Sequence, residues 1–212
     1  MYKVASRWPH QQSVKVEWNL GKRCNYDCSY CPVHRHDNFS PHASLEELKK
    51  NADFVFKYIS LYMKYRHYKE ASISFTGGEP TVNPNFIPFI KYLNEKYQAD
   101  YKSRFNCTFA LTSNGAMSEK MADAIVENFS HITISYHTEA DDTLKKQALD
   151  RIEQIYTKGP TKHCTVSINV MFHAQYFDEC IEVTPNFIRM RKLILDETER
   201  NRLAKQMRAE AE

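Results

Sequence analysis

Gly21-Lys22-Arg23-Cys24-Asn25-Tyr26-Asp27-Cys28-Ser29-Tyr30-Cys31-Pro32 carries three cysteines within eight residues. The C-x3-C-x2-C spacing puts three thiols on one short loop, close enough to serve a single metal centre. A structural zinc or a fully ligated iron–sulfur cluster takes four protein ligands. A loop of three leaves one position open for chemistry. The loop follows a strand pattern, Val14–Leu20, in which Val14, Val16, Trp18 and Leu20 alternate with Lys15, Glu17 and Asn19.

The same rhythm repeats outward from this loop. Further strands are expected at Ala71–Thr76, Cys107–Ser113, Ile132–His137 and Val166–Phe172. Helix patterns lie between them. Ser44 with Glu47 three residues on forms a capping box, and Leu48, Ala52, Val55, Phe56, Ile59 and Met63 then recur at helical spacing. Other helices are expected from about Asn85, from Ser118, and from Asp141 to Gly159-Pro160. Alternating strands and helices give βαβ units and a parallel sheet.

Each strand has one apolar and one polar face. Ile73 and Phe75 alternate with Ser72, Ser74 and Thr76; Ile132, Ile134 and Tyr136 alternate with Thr133, Ser135 and His137. Parallel strands covered on both faces read instead as continuous apolar runs. One face therefore meets helices and the other a wet or ligand-filled space, in a curved sheet or open barrel. Antiparallel strands with a solvated face are the alternative, against which the intervening helices argue.

Two further motifs fall at strand ends, the edge where α/β folds build ligand sites. Thr76-Gly77-Gly78-Glu79-Pro80 follows the second strand; its glycines would let backbone approach a ligand closely, with the Glu79 carboxylate beside it. Thr112-Ser113-Asn114-Gly115 follows the third strand. Taken singly, each reads equally as a plain turn.

The 212 residues suit one domain, and 42% hydrophobic content supports a sizeable core. A net charge of +3 is too small to indicate nucleic-acid binding. Of the six cysteines, Cys107, Cys164 and Cys180 stand apart and read as small packed hydrophobes. The pattern indicates a reducing cytoplasm and a metal site rather than a disulfide framework. No signal-like or membrane-spanning stretch is evident.

Together the three motifs resemble the radical S-adenosylmethionine (radical SAM) superfamily, over roughly residues 14 to 175. The resemblance implies a partial (βα) barrel of five to six parallel strands, and an enzyme that forms a 5′-deoxyadenosyl radical for hydrogen abstraction from a substrate. It implies that Cys24, Cys28 and Cys31 hold a 4Fe–4S cluster whose fourth iron S-adenosylmethionine chelates. It further implies that Gly77, Gly78 and Glu79 hold the methionine amino group, that Tyr30 lies near the adenine, and that Ser113, Asn114, Ser135 and His137 face the ribose and carboxylate. Implied partners are a small-molecule, nucleotide or peptide substrate and a reductant such as flavodoxin or ferredoxin, with no membrane and no nucleic acid. No auxiliary cluster is expected.

The rival reading is a non-catalytic or degenerate module holding an iron–sulfur cluster or a structural zinc, with His34 or His36 as fourth ligand. Otherwise those histidines are loop residues that could cover the cluster. His137 and His173, on polar strand faces, read either as contacts to cofactor or substrate or as satisfied buried histidines.

The core is expected to span residues 1–183. The segment 184–212 reads as a sixth strand at Ile188–Leu195 plus a helix, or as one basic helix. Residues 181–202 also resemble the C-terminal tail of BipA/TypA-type GTPases, through Glu-Val-Thr-Pro and Ile-Arg-x-Arg-Lys; no phosphate loop accompanies it. An abbreviated barrel would leave the cavity open on one side.

Overall fold

The computed structural model describes residues 13–32, 34–171, 174–185 and 187. Five strands form one sheet: β1 Ser13–Asn19, β2 Glu70–Thr76, β3 Asn106–Ser113, β4 His131–His137 and β5 Thr165–Met171. They lie in sequence order, and every neighbouring pair is parallel. Four helices connect them: α1 Leu45–Arg66, α2 Phe86–Lys96, α3 Glu119–Asn128 and α4 Asp142–Lys158. Strands added one after another, each by a helical crossover, keep the helices on one face. This is the partial (βα) barrel expected from the sequence.

The helix starts follow local chemistry. The Ser44–Glu47 capping box is fully formed. The side chains of Ser118 and Asp141 accept hydrogen bonds from Met121 N and Leu144 N at the starts of α3 and α4. The apolar strand faces meet the helices. Ile73, Phe75, Leu111, Ile132 and Ile134 are essentially inaccessible, and Leu48, Ala52, Phe56 and Ile59 of α1 cover them together with Phe86, Phe89 and Ile90 of α2. Phe75 touches Phe86, Phe89 and Phe129 edge to face. The opposite faces of β1 and β5 remain open: Lys15, Glu17, Asn19, Ser167 and Asn169 are exposed.

Beyond β5 comes a short 3₁₀ turn, Ala174–Tyr176, and then helical residues 177–185. Cys180 is fully buried there, 3.7 Å from both Thr138 Oγ1 and the Met171 carbonyl. Phe187 packs on Tyr136 with ring centroids 5.3 Å apart. Phe172 and His173, the sixth-strand candidate 188–195, and most of the tail-like stretch 181–202 lie outside the described residues. No described helix is long and apolar enough to cross a membrane.

Candidate functional site

The eleven residues that the resemblance assigns to cluster and cofactor line one cavity of about 180 Å³ at the C-terminal edge of the sheet. It gathers Cys24, Cys28, Cys31 and Tyr30 from the loop after β1, and Gly77–Glu79 from the end of β2. Ser113 and Asn114 come from the end of β3, and Ser135 and His137 from β4. Tyr26, His36, Thr76 and Thr112 also line it.

The cysteine loop is tied down from several sides. Asn114 Nδ2 donates to Asn25 Oδ1 at 2.7 Å and approaches Cys24 Sγ at 4.0 Å. Asn25 Nδ2 donates to the Ala116 carbonyl. Ser29 donates through its backbone N and its hydroxyl to the Glu139 carboxylate at 2.7 and 2.8 Å. Tyr26 N donates to Cys24 Sγ at 3.4 Å, and Cys28 Sγ lies 3.2 Å from His137 Nδ1. Tyr30 stacks on His137 with ring planes 6° apart, and its hydroxyl contacts the same Nδ1.

Burial shapes the ionisation of these groups. It pushes the Cys24 thiol up to about 11 and the Cys28 thiol up to about 12. It pushes His137 down to about 4, so that imidazole is neutral near neutral pH. The Tyr26 and Tyr30 phenols are raised, again chiefly by burial.

The two glycines also admit backbone from the same chain. A Cβ on Gly78 would lie 2.2 Å from the Lys22 carbonyl oxygen and 2.4 Å from that of Arg23. Gly77 has φ +146°, and a Cβ there would meet Gly21 O at 2.7 Å. Gly78 N donates to Gly21 O, and Glu79 N to Arg23 O, both at 2.8 Å. The close neighbour is the lead-in to the cysteine loop. Among the described residues nothing donates to the carbonyls of Gly77 or Gly78.

Glu79 is 3% exposed and already well occupied. Its Oε1 accepts from Thr81 N, Thr81 Oγ1 and Ser113 Oγ at 2.7–3.0 Å, and its Oε2 accepts from Asn114 N at 2.7 Å. Burial raises its pKa while these bonds oppose the rise. A carboxylate offers about four acceptor sites, and four donors already meet this one. Glu79→Ala would strand four buried donors and should cost about 2–5 kcal/mol by thermal or denaturant unfolding. Glu79→Gln should cost less, because it keeps one acceptor oxygen.

A metal or cofactor fits these residues on two observations. The donor set is soft sulfur, suited to iron–sulfur chemistry, and the same cavity is lined by Gly77, Gly78 and the Glu79 carboxyl. The sulfurs do not yet converge: among the described residues no three Cys, His, Asp or Glu side chains meet as a metal site. Of the two candidate fourth ligands for zinc, His36 faces Asp27 and the Pro32 carbonyl with its two nitrogens, and His34 is exposed in a turn. Asn25, Tyr26 and Glu139 escaped the sequence reading, because no spacing marks an asparagine, tyrosine or glutamate that contacts a distant loop.

A family model described as the radical SAM superfamily matches residues 18–158. The chain is 26% identical over 133 residues to GTP 3′,8-cyclase 1 of Mycobacterium tuberculosis, covering 62% of this chain and 33% of that one. It is 28% identical over 151 residues to an S-adenosylmethionine-dependent nucleotide dehydratase of Pseudoalteromonas ulvae, covering 68% and 46%. The chain thus spans a third to just under half the length of these relatives. In fold it is similar to anSMEcpe solved with AdoMet (TM-score 0.54, 18% identity, covering 73% of this chain and 43% of that one) and with AdoMet plus the Kp18Cys peptide (TM-score 0.55, 20%, 74% and 42%). With the family match running from β1 to the end of α4 and enclosing the cysteine loop and both glycine turns, the chain belongs to the radical SAM superfamily.

Proposed function

We propose that this chain is the core of a radical SAM enzyme. Cys24, Cys28 and Cys31 would hold a 4Fe–4S cluster, and S-adenosylmethionine would lie against Gly77, Gly78 and Glu79. The observation that supports this reading is the shared cavity, which Cys24, Cys28, Cys31, Gly77, Gly78 and Glu79 line together. When bound, the pair supplies a 5′-deoxyadenosyl radical for hydrogen abstraction from a substrate.

The residues have separable tasks. The Gly77 and Gly78 carbonyls and the Glu79 carboxyl would hold the methionine ammonium. Tyr30, on the rim and stacked on His137, offers an aromatic face to the adenine. Ser135 and His137 from β4 face the ribose and carboxylate. Ser113 and Asn114 act through others: both hold Glu79, and Asn114 also steadies Asn25. The names of the two curated relatives favour a nucleotide substrate over a peptide. The electron comes from a reductant such as flavodoxin or ferredoxin.

Anaerobic reconstitution tests the proposal. About four irons per chain are expected, together with 5′-deoxyadenosine after reduction in the presence of S-adenosylmethionine. Iron without cleavage would replace the enzyme by a metal-binding module. A chain that takes up no iron would refute both.

A further inference from the structure

We propose that His36 is a positioning residue for the cluster. It bridges the two ends of the second half of the cysteine loop and lines the cavity on that side. This rests on the reading that the loop holds a cluster.

The return segment after the loop is built to meet it. Asp37 forms a parallel bridge with Arg23: Cys24 N donates to Asp37 O at 2.7 Å, and Asp37 N donates to Lys22 O at 3.1 Å. This pins the backbone at Cys24 and delivers the neighbouring His36 side chain beneath the loop. His36 is only 9% exposed. Its Nε2 lies 3.1 Å from Asp27 Oδ1 and its Nδ1 3.4 Å from the Pro32 carbonyl. Asp27 immediately precedes Cys28, and Pro32 immediately follows Cys31. One imidazole therefore spans the ends of the segment that carries two of the three thiols. Within the segment a single turn bond, Cys31 N to Cys28 O at 3.0 Å, sets the local fold.

The other anchors hold different residues: Asn114 holds the loop at Asn25, while Glu139 at Ser29 and His137 at Cys28 and Tyr30 hold the inside of the segment. Among the described residues only the His36 side chain meets both Asp27 and Pro32; both partners are acceptors, so a neutral ring donates to one of them and packs against the other. The Asp27 side chain is fully exposed, so this pair adds little to overall stability. Its effect is geometric: it fixes where the loop ends sit.

His36 also borders two spaces. With Tyr26 it lines the cavity of the cysteines, and the same two rings line a second cavity of about 490 Å³ among Lys22, Asp37, Asn38 and Phe39. Removing the ring would widen the access of water and oxygen to the sulfurs of the partly exposed Cys24 and Cys31.

The test compares His36→Phe, His36→Ala and His36→Gln with the wild type after anaerobic reconstitution. Phe keeps the ring but loses both polar contacts, Ala loses both features, and Gln restores a donor near Asp27. Iron occupancy, the electron paramagnetic resonance line shape of the reduced cluster, and the decay of its visible absorbance in air are read. The Phe variant should show a broadened line shape and several-fold faster decay, the Ala variant faster decay still, and the Gln variant partial recovery. Melting of the iron-free chains should be alike. Variants that load, resonate and decay like the wild type would overturn the proposal. So would a loss of iron that merely tracks a lower melting temperature of the iron-free chain. A wild type that binds no iron would instead remove the reading on which the proposal rests.

Discussion

Gly78→Ala should cost on the order of 3 kcal/mol or more and loosen the cysteine loop from the sheet. The added methyl would sit 2.2 Å from Lys22 O and 2.4 Å from Arg23 O, both backbone atoms that cannot rotate away. Nor can the two segments separate freely, because the bonds from Gly78 N to Gly21 O and from Glu79 N to Arg23 O hold them together. Native domains have only about 5–15 kcal/mol in hand, and a chain of this size loses roughly 2–4 °C in melting temperature per kcal/mol. A fall of roughly 6–12 °C is therefore expected by calorimetry or circular dichroism. Iron uptake should fall with it, since the displaced residues lead directly into Cys24. Gly21→Ala is the comparison: nothing lies within 4 Å of its added Cβ, and its φ of +133° alone sets the strain, about 1–3 kcal/mol. A Gly78→Ala chain that melts like the wild type would show that the close approach is not required.

Replacing Cys24, Cys28 and Cys31 together with Ala should reduce bound iron to background and abolish 5′-deoxyadenosine formation. The melting temperature of the iron-free chain should move by only a few degrees. The three side chains sit in a small cluster with Tyr26 and Ala116, apart from the main core, and none is bridged to another cysteine. Their burial also sets a pH dependence. With the Cys24 and Cys28 thiols raised to about 11 and about 12, both are protonated at neutral pH. Binding iron must release those protons, so affinity should rise as pH rises, by up to about tenfold per pH unit for each thiol. Competition with a chelator at two pH values measures this. Retention of iron by the triple variant, or an affinity that falls with rising pH, would count against thiolate ligation.

The strand and helix order was legible because βα units leave two strong local signals. Alternation marked each strand, and Ser44, Ser118 and Asp141 marked helix starts that the structure caps through those side chains. The cavity was legible because motifs at parallel strand ends must share one edge of the sheet. The internal roles were not. Gly-Gly-Glu-Pro reads in sequence as a place for backbone to approach a ligand. In the fold its glycines first admit Lys22 and Arg23, and its glutamate first holds Thr81, Ser113 and Asn114.

The sequence by itself determined the order of the elements, the polar and apolar face of each strand, and the loop of three thiols. Periodicity, capping and ligand spacing act over a few residues and can be read along the chain. Only the tertiary structure decided which groups the site has left over. Glu79 meets Asn114 35 residues away, and Cys28 meets His137 109 residues away. Whether a buried carbonyl, carboxylate or thiol is already satisfied depends on such distant partners. That accounting shows Glu79 held by four donors from Thr81, Ser113 and Asn114 in the cavity it shares with the cysteines.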